Sequence, residues 1–247
     1  MTYTEYMRKS AKYWRVFTFV FLSYFSVLIS IIWVIGLAFP IVYAEFNYRR
    51  DQVLGVKYEL ASDTQIQTAQ NIDLQTGQSN TQSASSSGGF AEIKADVNLI
   101  KPVSTDYGIV IEKINANAKI IPDIDPGNAK QYEAALSQGV AEALGSTKPG
   151  ENGNLFVFSH SAQGPFAISR FNAVFYLLKE LEVGDKIVIF YKGKRYTYLV
   201  YEKTVTDPKD ISFLSNRYDK PVLTMQTCDP PGTLNNRLIV KAQLLGS

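Results

Sequence analysis

The chain has 247 residues, 46% hydrophobic and 13% aromatic, enough for one ordinary domain with a sizeable core plus accessory segments. Of its 25 basic and 23 acidic side chains, Arg8, Lys9, Lys12, Arg15 and Glu5 fall in the first fifteen positions, which leaves 21 basic against 22 acidic elsewhere. The net charge of +2 is therefore a local N-terminal feature and no nucleic-acid partner is expected; the single cysteine excludes an internal disulfide, and one His with one Cys is too few ligands for zinc, so neither metal nor cofactor is expected.

After the basic tail of residues 1–15, Val16 to Ala44 is a run of 29 residues without a charge. Its 24 residues before Pro40 reach about 36 Å at ~1.5 Å per residue, enough to cross a hydrocarbon core of roughly 30 Å. Val42-Tyr43-Ala44 would pass as a cleavage site for a signal peptide. The apolar region of such a peptide is only about 7 to 15 residues long, however, so an uncleaved anchor over 16–44 is expected. Arg8, Lys9, Lys12 and Arg15 precede the span, whereas Glu45, Arg49, Arg50 and Asp51 behind it cancel. The N-terminus is thus expected in the cytoplasm, with the rest of the chain outside it.

Residues 45–100 read as a stalk and linker. Phe46 to Leu60 is mixed and could continue as a helix. Ala61 to Gly89 is Gln, Ser, Thr and Asn with only Asp63 and Asp73 charged, a composition that cannot offset the entropy of ordering. As a flexible tether its 29 residues would reach about 30 Å.

From Lys101 to the end, short apolar runs alternate with turn signals, the pattern of an all-β domain with a few helical turns. Strands are expected at Gly108–Ile114, Ala118–Ile121, Asn154–His160, Lys186–Tyr191, Arg195–Glu202, Val222–Cys228 and Leu238–Leu245. Lys192-Gly193-Lys194 makes a hairpin turn. Asn128 to Gly139 reads as a short amphipathic helix with Tyr132, Ala135 and Leu136 inward and Gly139 as its stop. Phe175 to Leu181 is a second helical turn.

Cys228 is the only cysteine and His160 the only histidine. A lone cysteine closing an apolar strand is more often a buried small hydrophobe than a nucleophile. Here Asp229-Pro230-Pro231-Gly232 breaks the strand at once, so the thiol sits at a rim where it can be reached. His160 ends Leu155-Phe156-Val157-Phe158-Ser159 in a similar way, and two strand ends on one rim would bring thiol and imidazole together. Arg237 opens Leu238-Ile239-Val240 after the loop that begins at the cysteine, where a guanidinium could stabilise an oxyanion or orient a substrate.

These segments together resemble the sortases, the membrane-anchored cysteine transpeptidases of bacterial surfaces. Thr224-Met225-Gln226-Thr227-Cys228 is similar to the family's TLxTC signature, with Met in the Leu position. Asn154 to Ser161 resembles its histidine strand and Arg237-Leu238-Ile239-Val240 its arginine strand. Pro149 to Asn154 and Leu181 to Lys186 also look like the family. The resemblance runs from about Tyr107 to Leu245 and implies a closed eight-stranded β-barrel over 101–247.

By that resemblance Cys228 is the nucleophile, His160 the acid and base, and Arg237 the oxyanion and substrate stabiliser, with Thr227 contacting substrate or helping the oxyanion through its backbone. The implied substrate is an LPXTG-like C-terminal sorting signal, and the implied acceptor an amine of a peptidoglycan precursor or of another protein's lysine. The loop Thr204 to Pro221 resembles the one that shapes the peptide groove, or is an ordinary packed connection. Asp123 and Asp125 mark a solvated turn rather than a calcium site. With only His160 and Arg237 as partners and no third orienting carboxylate evident, slow turnover is expected. Two other readings stay open: an anchored module that binds peptides without catalysis, and a cysteine peptidase that only hydrolyses.

Overall fold

The computed structural model describes residues 3–61, 97–161 and 174–246. Nearly all of the expected tether, and the residues from Ala162 that follow the histidine strand, lie outside the described residues. The chain divides into two units, 1–44 and 45–247. Helix α1, Tyr3–Leu54, supplies the first. Within it Tyr13–Ile35 is long and apolar enough to cross a membrane, with mean hydropathy 2.3 and none of its side chains buried, as suits a segment that faces lipid.

The second unit begins at Glu45. α1 stops at Leu54 because Gly55 takes a left-handed φ of +65 and the Val56 amide donates back to the Asp51 carbonyl at 2.9 Å, a glycine helix stop. The chain then forms β1, Lys57–Leu60, which pairs in parallel with β2, Val97–Ile100. The Leu60 amide donates to Glu112 Oε1 at 2.8 Å. Leu60, Ile100 and Tyr58 cover Val110, Val188 and Phe190 on the outside of the main sheet.

That sheet is a closed barrel of eight strands. In chain order they are β3 (Tyr107–Ile111), β4 (Ala116–Ile124), β5 (Val140–Ala143), β6 (Gly153–Phe158), β7 (Lys186–Tyr191), β8 (Lys194–Thr206), β9 (Pro221–Asp229) and β10 (Asn236–Leu244). Around the ring the order is β10-β8-β7-β3-β4-β5-β6-β9. β9 closes on β10, and only the β4/β5 and β6/β9 pairs are parallel. β3 and β7 read as unbroken apolar runs because both faces are covered: Ile109, Ile111, Ile187 and Ile189 fill the barrel, while Val110, Val188 and Phe190 lie under β1 and β2. The β7–β8 hairpin turns on Lys192 and Gly193, both at positive φ, as a type I′ turn requires.

Helix α2, Ala129–Leu136, is capped by Asn128, whose side chain accepts from the Gln131 amide. It packs Ala135, Leu136 and Tyr132 over Ile124, Ala141 and Phe158, the inward face read from its sequence. Several bounds shift. β3 gives way to a 3₁₀ turn at Glu112–Ile114, and Tyr176–Glu180 is likewise a 3₁₀ turn. β8 runs on to Thr206, and β6 stops at Phe158, two residues before His160.

Candidate active site

The alternation of the strands decides which way the candidate residues face. Leu223 and Met225 of β9, Leu155 and Val157 of β6, and Leu238, Val240 and Ala242 of β10 all belong to the barrel core. With a side-chain period of two, Cys228, the run Phe156, Phe158, His160, and Arg237 fall on the outer face. Register then aligns them. Arg237 is the direct antiparallel partner of Cys228. Phe158 partners Gln226 across the parallel β6/β9 pair, and the Ser159 amide donates to the Gln226 carbonyl at 3.2 Å. His160 follows two residues after Phe158, past the end of β6, and lines one groove with Cys228 and Arg237. The three sequence-predicted residues thus come from three adjacent chain segments, and the paired strands of Cys228 and Arg237 lie about 4.8 Å apart.

Two side-chain bonds tie the segments together beyond the ladder. Thr227 Oγ1 donates to the Ser159 carbonyl at 3.0 Å, and the Gly232 amide donates to Ser161 Oγ at 3.4 Å. Thr227 borders the groove, but its hydroxyl is buried and turned to that carbonyl.

A groove of about 290 Å³ contains His160, Cys228 and Arg237 together. Pro126, Tyr132 and Leu136 form one wall, and Pro208, Ile211 and Leu214 of the loop between β8 and β9 form another. That loop, read from sequence as either a groove-shaping segment or a plain connection, therefore lines the groove. Its short helix α3, Ser212–Ser215, follows Asp210, whose carboxylate accepts from the Ser212 amide at 3.0 Å and from Thr206 Oγ1 at 2.9 Å. The bonds from Ser212, then the one from Thr206, hold this carboxyl below its ordinary range.

Cys228 is half-buried. Burial pushes the His160 imidazole below its ordinary value, and the Glu133 carboxylate on α2 pulls weakly the other way. Sequence reasoning did not single out Glu133. Arg237 Nη1 donates to the carbonyls of Asn236 at 3.1 Å and Leu234 at 3.4 Å. Among the described residues no carboxylate pairs with it, so its charge is not neutralised at the groove. Asp123 and Asp125 do other work: Asp123 lies 3.6 Å from Lys148 Nζ, and Asp125 Oδ1 accepts from the Gly127 amide.

A reachable thiol, an imidazole beside it and an unpaired guanidinium opposite form a set able to carry nucleophilic acyl transfer. A family model described as the sortase domain matches residues 109–245, which takes in all three. Sortase D of Bacillus subtilis (strain 168) is 27% identical over 126 residues, 51% of this chain and 55% of that protein; the match thus spans about half the length of the curated relative. Among solved structures, a Clostridium perfringens Sortase D5 transpeptidase is 29% identical, over 57% of this chain and 79% of that one, with a TM-score of 0.46. Sortase A from Corynebacterium diphtheriae is 26% identical, over 57% and 61% of the two chains, with a TM-score of 0.48. The family model covers more than half of the chain, and with the eight-stranded barrel around it this chain belongs to the sortase family, a family of transpeptidases.

Proposed function

We propose that this chain is a membrane-anchored cysteine transpeptidase that cleaves an LPXTG-like sorting signal on exported proteins and passes the acyl group to an amine. The observation that carries the reading is that the β9/β10 register pairs Cys228 with Arg237 and that one groove is lined by both together with His160. The Cys228 sulfur gives its proton to His160 and attacks the scissile carbonyl carbon. Arg237 faces the oxygen as it becomes negative, and Thr227 contributes through its backbone. As the C–N bond breaks, the departing amine takes the proton from the imidazolium, leaving a thioester on Cys228. An acceptor amine, from a peptidoglycan precursor or another protein's lysine, then attacks; its proton goes to His160, the C–S bond breaks, and the imidazolium returns that proton to the departing sulfur, which restores both the thiol and the neutral ring.

A half-buried imidazole held below its ordinary value suits this cycle. It is a base at rest and becomes charged only when an anion forms beside it. The α1 span supports an anchored protein, and the basic tail before it a cytoplasmic N-terminus with the barrel outside.

The test is to incubate the full-length chain in detergent with a library of LPXTG-like peptides, with and without triglycine. Amine-dependent product should form, vanish in Cys228→Ala, and fall by at least about 100-fold in His160→Ala and Arg237→Ala. Peptide binding that survives Cys228→Ala, with no thioester trapped by mass spectrometry from the unmodified enzyme, would overturn it in favour of a binding module. Cleavage indifferent to the amine would make it a hydrolase.

A further inference from the structure

Below His160, Cys228 and Arg237, the same three strands carry a second set of residues on the same outer face, and all of it converges on one residue of the groove wall. Asn154 of β6 is buried, and its Nδ2 donates to the Phe213 carbonyl at 2.9 Å. Thr224 of β9 is fully buried, and its Oγ1 donates to Asn154 Oδ1 at 2.7 Å, so both ends of that amide are committed and its orientation is fixed. Lys241 of β10, the register partner of Thr224, lies with Nζ 5.0 Å from the centre of the Phe213 ring. Glu202 holds it there, with Oε1 at 2.9 Å and Oε2 at 3.0 Å. Phe213 is thus gripped at its carbonyl by an amide and at its ring face by a cation.

Phe213 sits inside α3, between Ile211 and Leu214, whose side chains line the groove. Ile211 is 71% exposed, and apart from the Asp210 bonds to Thr206 and Ser212 the ties to Phe213 are the ones that reach this wall from the strands bearing the candidate residues. We infer that Asn154, Thr224 and Lys241 are positioning residues that fix the Pro208–Leu214 wall against the strands bearing the candidate catalytic residues and so set the fit of the peptide. Burying a lysine and an asparagine on the outside of a barrel is costly unless both are fully partnered. Here the partners are spent on a loop that borders the groove. None of the three reaches toward Cys228, so loosening them acts on substrate fit and leaves thiol chemistry alone. The catalytic part of the inference rests on the groove being the peptide site; the positioning of the wall does not.

The experiment compares full-length Asn154→Ala, Lys241→Met and Lys241→Arg with the unmodified protein. Amide exchange over residues 208–216 should quicken by about tenfold in Asn154→Ala and Lys241→Met, the effect expected of losing one tie to the loop. Exchange in the β3, β7 and β9 core should stay unchanged. KM for the sorting peptide should rise about five- to tenfold with kcat within about twofold, and alkylation of Cys228 by iodoacetamide should keep its rate. Lys241→Arg, which keeps a cation over the ring, should restore both exchange and KM. Should Asn154→Ala not fold, Phe213→Leu, which removes the ring but not the carbonyl, takes its place with the same expectations. Wall exchange at the original rate in folded variants, or a fall in kcat and alkylation instead of a rise in KM, overturns the inference. If the unmodified enzyme turns over no peptide, the functional reading fails and the exchange measurement alone still decides whether these residues hold the wall.

Discussion

The imidazole of His160 is pulled two ways, down by burial and up by Glu133, with burial the stronger. Removing the carboxylate leaves burial unopposed, so in Glu133→Gln the ring should become protonated only at a still lower pH. Because this is the only histidine, its C2 proton gives one NMR signal, which can be followed in a Cys228→Ala background free of coupling to the thiol. The midpoint should lie below the ordinary histidine value and fall further in Glu133→Gln; an unchanged or higher midpoint in that variant would show that Glu133 does not act on the ring. At this scale the sequence was informative for a simple reason. Cys228 and His160 are each unique, and each closes an apolar run at a turn signal. Glu133 gave no such sign, since its approach to His160 depends on α2 docking over Phe158 and Ala141, a tertiary event that no local pattern records.

Seven of the barrel strands were legible from their apolar runs, and the one that was not, β5, explains its own absence. Val140–Ala143 has four residues with Glu142 among them, and a carboxylate in so short a run hides the strand. Yet Glu142 is fully buried opposite Val157, with Lys148 Nζ at 2.6 Å from Oε1 and the Tyr107 hydroxyl donating to Oε2. Burial and then this carboxylate push the Tyr107 hydroxyl upward, so it stays a donor. Lys148→Met would strand the carboxylate in the interior, at a cost of about 3–5 kcal/mol. For a unit of this size, at roughly 2–4 °C per kcal/mol, the Tm should fall by about 10 °C. Calorimetry on the full chain in detergent checks this, and adding Glu142→Gln to Lys148→Met should recover most of the loss. Equal melting of Lys148→Met and the parent would mean that the pair contributes nothing.

At the scale of the whole molecule, the apolar run within α1 and the alternating runs of the barrel were legible in the sequence, but the role of residues 45–60 was not. Their composition is mixed because they serve several surfaces at once. Tyr48 packs against the barrel core, Glu45 pairs with Lys179 at 3.4 Å, the Tyr58 hydroxyl donates to Asp51 at 2.6 Å, and Leu60 covers the outer sheet. Apart from the Tyr58–Asp51 pair, these partners are distant in the chain, so no periodicity announces them. The parallel pairing of β1 with β2 has a consequence for how the protein survives damage. The residues on either side of 62–96 are stapled side by side, so a peptide bond cut within that stretch is expected to leave α1 and the barrel joined. With a protease site inserted after Ser87, the two pieces should co-purify after cleavage, and the barrel should remain in the membrane fraction. Release of the barrel into the soluble fraction on nicking would show that the staple is too weak to hold without an intact backbone.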